Sequence, residues 1–89
     1  MNTPKYPAEK PIEIDLHGMR LDEARILVRA RLSGAQTGEL FHFIVGRGTT
    51  RGVSVLGPAI KQLIVAFGYS WRPARLADGG EGRLVVTIR

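Results

Sequence analysis

The chain has no cysteine. That excludes disulfides, thiolate zinc sites and thiol nucleophiles together, and it fits a reducing compartment, so a cytoplasmic location is expected. It also lacks any apolar run of membrane-spanning length, and its N-terminus carries charges and prolines where a signal peptide would carry an apolar core. No membrane partner is expected. Acidic residues are scarce: eight stand against thirteen Lys and Arg, a net charge of +5. Such a balance favours anionic partners, nucleic acid ahead of a membrane surface, although plain solubility is also served by it. Ten of the thirteen basic residues are arginine, the side chain suited to forked phosphate contacts, which favours the nucleic-acid reading. No Walker lysine is present, and Gly46, Gly48 and Gly52 do not follow the dinucleotide-binding spacing.

What is present suffices for one small domain. Eighty-nine residues with 44% hydrophobic content can bury one core and not two. Residues 1–11 contain Pro4, Pro7 and Pro11 among charges and read as a flexible arm. From Ile12 to His17, apolar Ile12, Ile14 and Leu16 alternate with polar Glu13, Asp15 and His17, the period of a half-buried strand with one polar face. Leu21, Ala24, Leu27, Val28 and Leu32 recur at helical spacing. Asp22 and Glu23 at the start, Arg29 and Arg31 near the end, and Gly34 as a stop complete that helix. Phe41 to Val45 is a second strand, apolar apart from His42, with Phe41, Phe43 and Val45 on one face.

A second amphipathic helix runs from near Gly57 to Phe67, with Pro58 tolerated in its first turn and Gly68 as its C-terminal cap. Ser70 to Leu76 contains Pro73 and belongs at a sheet edge. Residues 78–82 (Asp-Gly-Gly-Glu-Gly) turn the chain into Leu84 to Ile88, the most β-prone run and the expected central strand. The order is βαβαββ: an α/β two-layer sandwich with a four-stranded mixed sheet and two helices on one face. The polar set of the first strand then lies on the uncovered face or its rim.

Asp15 and His17 are the candidate catalytic pair. Two residues apart on one strand face, roughly 6–7 Å at the backbone, their side chains can converge on one phosphate or one metal ion. Phosphodiester cleavage needs a proton taken from the nucleophile and another given to the leaving oxygen, work suited to an imidazole. A carboxylate can orient that imidazole or hold a divalent cation such as Mg2+ or Mn2+. The same pair also suits loop capping and rim packing, and Asp-x-His alone is weak evidence. Gly46-Arg47-Gly48 leaves the second strand ahead of a helix, where amides and a helix dipole can meet an anion, with Arg47 and Arg51 adding charge. A tight glycine turn with solvated arginines fits that segment equally well. Gly18, Gly46, Arg47, Gly48, Arg51, Lys61 and Arg72 are the candidate nucleic-acid contacts. Tyr69 and Trp71 suit either base stacking or the edge of the core.

Taken together, from Ile12 to the C-terminus, the chain resembles the Smr (small MutS-related) domain family. The carriers are Ile14-Asp15-Leu16-His17-Gly18, similar to the family's Leu-Asp-Leu-His-Gly signature, and Val45-Gly46-Arg47-Gly48, similar to its His/Thr-Gly-x-Gly signature. The run from Gly52 to Ala59 and the glycine-rich final hairpin also sit where the family has comparable segments. The resemblance implies a fold similar to the C-terminal domain of translation initiation factor three, with strand order 1-2-4-3. It implies nucleic-acid binding and, in many members, endonuclease activity on DNA or RNA, with Asp15 and His17 at the positions associated with activity. The alternative is a non-catalytic nucleic-acid or ribosome-binding module on the same scaffold; a third reading is a protein-interaction domain using the open sheet face. A monomeric domain is expected. Val45 departs from the family pattern: an aliphatic side chain replaces the usual His or Thr and can neither donate, accept nor ligate.

Overall fold

The computed structural model describes residues 11–46, 56–75 and 80–89. Its elements are β1 (Ile12–Asp15), α1 (Leu21–Ser33), β2 (Leu40–Ile44), α2 (Leu56–Ala66), β3 (Arg72–Pro73), a single 3-10 turn (Gly80–Gly82) and β4 (Arg83–Thr87). The expected arm lies outside the described residues except for Pro11.

The strands form one sheet in the order β1-β2-β4-β3. β1 and β2 are parallel, while β4 runs antiparallel to both β2 and β3. The two crossovers, β1 to β2 through α1 and β2 to β3 through α2, step across the sheet in the same direction. Right-handed connections therefore place both helices on the same face, where α1 and α2 pack against one another. The mixed sheet, the covered face, edge β3 and inner β4 are as the sequence pattern requires.

Alternation divides the sheet into two surfaces. Ile14, Leu16, Phe41, Phe43, Val45, Leu84, Val86 and Ile88 point to the helices and form the core with Ala24, Val28, Leu32, Ile60 and Ile64. Glu13, Asp15, His42, Arg83, Val85 and Thr87 occupy the other face, to which neither helix contributes. α1 carries Asp22 and Glu23 in its first turn and Arg31 in its last, matching the helix dipole. α2 ends in a Schellman arrangement: Gly68 has φ +87°, its N–H donates to Val65 O at 2.9 Å, and the Tyr69 N–H donates to Ile64 O at 3.1 Å.

Several boundaries differ from the sequence reading: β2 and β4 each start and stop one residue early, at Leu40–Ile44 and Arg83–Thr87, and two larger differences have a specific cause. β1 stops at Asp15, not His17, because Met19 N–H reaches back to Leu16 O at 3.0 Å and closes a tight turn over His17 and Gly18. β3 is only two residues long: Pro73 has no N–H, and the Ala74 N–H is shared between Gly80 O and Arg83 O, both at 3.1 Å. α2 starts one residue early, at Leu56. Of the final hairpin, residues 76–79 lie outside the described set, and Gly80–Gly82 is the 3-10 turn leading into β4.

Val45 is 5% exposed and belongs to the core. At this position the chain's departure from the family signature is a packing side chain. Val45→Thr should lower stability by about 1–3 kcal/mol, the cost of burying a hydroxyl among apolar neighbours. Chemical denaturation of the two proteins measures it.

Candidate active site

Parallel pairing brings the C-terminal ends of β1 and β2 to the same end of the sheet, the place where open α/β sheets hold ligands. The pairing extends one step past the strands, through Leu16 N–H to Ile44 O at 2.7 Å. Leu16 is wholly buried, so its neighbours Asp15 and His17 are turned outward. Their side chains are 54% and 67% exposed.

Asp15 Oδ1 accepts from the His17 backbone N–H at 3.1 Å and lies 2.5 Å from His17 Nδ1. A carboxylate accepts, so Nδ1 carries the proton of the neutral ring and Nε2 keeps a lone pair. The ring hydrogen bond, then the backbone one, hold the Asp15 carboxyl below its ordinary value, with lesser help from the charges of His17 and Arg83. Because this pKa is depressed, the contact supports the fold above the ordinary carboxylate range and is lost as pH falls through the lowered value.

Two glycines frame the pair. Gly18 has φ +80° as the third residue of the Leu16–Met19 turn, a position that in a type II turn requires glycine or asparagine. A Cβ on Gly18 would meet nothing within 4 Å, so the approach over the turn is open. Gly46 has φ +75°, and a Cβ there would lie 3.4 Å from the His17 Cβ. Its amide is already used: the Val45 and Gly46 N–H groups both donate to Gly82 O, at 2.9 and 3.1 Å. Gly46 therefore approaches His17 closely in a left-handed backbone conformation, with its N–H taken by Gly82 O. Arg47, Gly48 and Arg51 lie outside the described residues.

The other two sequence candidates are elsewhere. Lys61, on α2, sets its Nζ 4.3 Å from the centroid of the Trp71 ring, beside β3 at the opposite edge of the sheet from β1. Arg72 is exposed on β3, at that same edge. One residue escaped the sequence reading. Arg83, with its side chain 23% exposed, donates to Glu13 Oε2 at 2.8 Å and has its Nη1 3.3 Å from His42 Nδ1. It stands on the open face in register with Ile44 and Asp15. The available signal was a lone cation opening an otherwise apolar strand.

Among the described residues no three His, Cys, Asp or Glu side chains gather as a metal cluster. Asp15 offers one carboxylate, which suits a cation that completes its shell with substrate phosphate and water.

A family model described as the Smr domain matches residues 14–89. Solved structures with the same fold include the B3BP Smr domain (23% identity, TM-score 0.65, covering 86% of this chain and 77% of that one). The human small-MutS related domain is 23% identical with a TM-score of 0.66, covering 85% of this chain and 99% of that one. The SMR domain of NEDD4-binding protein 2 is 20% identical with a TM-score of 0.66, covering 100% of this chain and 94% of that one. No curated protein sequence matches the chain.

Two outcomes follow from this geometry. In NMR titrations, His17→Ala should move the Asp15 carboxyl midpoint upward, toward its ordinary range; an unchanged midpoint would assign the depression to other groups. Gly46→Val combines a left-handed φ with contact on His17, so it should cost about 1–3 kcal/mol in a denaturation experiment and displace the His17 ring resonances.

Proposed function

Because the chain belongs to the Smr domain family, a class of nucleic-acid-binding and nuclease-type modules, we propose that it is an endonuclease domain acting on phosphodiester bonds through Asp15 and His17. The observation that carries this reading is the 2.5 Å contact between Asp15 Oδ1 and His17 Nδ1 on an exposed strand end. An imidazole held this way presents Nε2 as the proton acceptor. Nε2 takes the proton from the attacking oxygen, water or a ribose 2′-hydroxyl, as the new O–P bond forms. The imidazolium then returns a proton to the leaving oxygen as the old P–O bond breaks. Asp15 holds the tautomer and stabilises the transient imidazolium, as an orienting carboxylate does elsewhere.

Arg47 and Arg51, which follow Gly46 in the chain, supply charge for the non-bridging oxygens in this scheme. A divalent cation such as Mg2+ or Mn2+ would be held by Asp15 and would supply positive charge to the phosphate oxygens. The competing reading, a nucleic-acid or ribosome-binding module without cleavage, draws on Val45. Its buried side chain leaves the position without the polar group of the family signature.

Incubation with labelled DNA and RNA of several topologies, with and without Mg2+ or Mn2+, separates the two. The wild-type protein should cleave. Asp15→Asn and His17→Ala should each lose cleavage by about a hundredfold or more, with melting temperature and nucleic-acid affinity nearly unchanged. Cleavage at the wild-type rate by either variant would remove the pair from the mechanism. Binding without cleavage by the wild-type protein, in every arm, would favour the binding module.

A further inference from the structure

The open sheet face has a concavity away from Asp15 and His17. Ser70, Trp71, Arg72, Val85, Thr87 and Arg89 enclose a cleft of roughly 300 Å³. Its floor is Val85, only 4% exposed although it lies on the face opposite the helices. Val85 sits in register between His42 on β2 and Arg72 on β3. Among the described residues, no ion pair engages Arg72 or Arg89, whereas Arg83 on the same face is neutralised by Glu13. Two uncompensated guanidinium groups thus border an apolar floor with hydroxyls nearby. A bare phosphate has no use for that floor, and a purely apolar ligand has none for the arginines.

Building on the nucleic-acid reading above, we propose that this cleft is a nucleotide subsite for single-stranded substrate: an unpaired base rests on Val85 while Arg72 and Arg89 hold the flanking phosphates. A base inside a duplex is stacked on both sides and shows only its edges to a groove. Its flat face reaches such a floor only when the strand is unpaired, as in open-sheet binders of single strands. Trp71 forms a wall of this cleft, and Lys61 sits against its ring.

The path to the catalytic pair is short. The row Glu13–His42–Val85–Arg72 lies two residues before the row Asp15–Ile44–Arg83. With strands about 4.8 Å apart and a rise of about 3.3 Å per residue, Val85 is roughly 12 Å from Asp15. Arg83 and His42 lie along that path on the same face. A strand laid across the sheet from the cleft therefore passes His42, Arg83 and Ile44 before it reaches His17.

The test compares wild type with the double variant Arg72→Ala/Arg89→Ala, and with Thr87→Glu, by fluorescence anisotropy in EDTA over a range of salt. Three probes are used: a single-stranded oligonucleotide, the same sequence as a duplex, and an abasic strand of equal length. The double variant should bind the single strand about tenfold more weakly, with a salt slope reduced by roughly 1.4 for two lost contacts. Duplex binding should be unaltered, and the abasic strand should bind the wild-type protein more weakly than the natural one. Thr87→Glu should weaken single-strand binding selectively through charge repulsion. Equal losses on duplex and single strand, or equal affinity for the abasic strand, would overturn the subsite. So would full single-strand binding by both variants, which would leave the nucleic-acid reading intact. Failure of the wild-type protein to bind any probe would overturn both.

Discussion

The parallel pairing of β1 with β2 is the constraint on which this site depends. It continues beyond the strands, through the Leu16 N–H to Ile44 O bond, and so holds the two strand ends side by side. Leu16 is sealed in the core by the same pairing, which commits Asp15 and His17 to solvent. Gly46 then passes so close to His17 that a Cβ would stand 3.4 Å from the His17 Cβ. The second anchor is Gly82, just ahead of β4, whose carbonyl takes the N–H groups of Val45 and Gly46. The strand end that approaches His17 is thus tied to the core from two directions.

Division of labour between the two faces of the sheet explains how so small a domain keeps polar groups for function. One face, with two helices over it, supplies the main hydrophobic cluster of the described residues. The other carries Glu13, Asp15, His42 and Arg83 in adjoining register rows. Within that set each charge has a partner: Arg83 with Glu13, Asp15 with His17. These pairs are partly or largely exposed, so they organise side chains more than they stabilise the fold. At the β3 edge Arg72 and Arg89 have no such acidic partner among the described residues, leaving that part of the face positive.

Much of this was legible in the chain because it rests on local periodicity. Alternation in residues 12–17 identified the polar pair, Pro73 identified the edge strand, and the shared face of Phe41, Phe43 and Val45 anticipated that Val45 packs inward. Features set by non-local pairing were not legible. Arg83 faces Glu13 and His42 only because β4 inserts between β2 and β3 in one particular register. The sequence left the amides of the Gly46 turn open between anion binding and a plain tight turn, and the Gly46 N–H is consumed by Gly82, thirty-six positions further along the chain. Lys61 carries no local signal for its place against the Trp71 ring at the β3 edge, whereas the place of Arg72 there follows from its neighbour Pro73.

The central claim is that Asp15 holds His17 as the Nδ1–H tautomer, leaving Nε2 to move the proton. Long-range proton–nitrogen NMR correlations of the His17 ring test it directly, recorded at a pH where the ring is neutral. The account predicts a protonated Nδ1 and an unprotonated Nε2 in the wild-type protein, and a shift of the tautomer balance in Asp15→Asn. A predominant Nε2–H tautomer in the wild-type protein, or a balance that Asp15→Asn leaves unchanged, would contradict it.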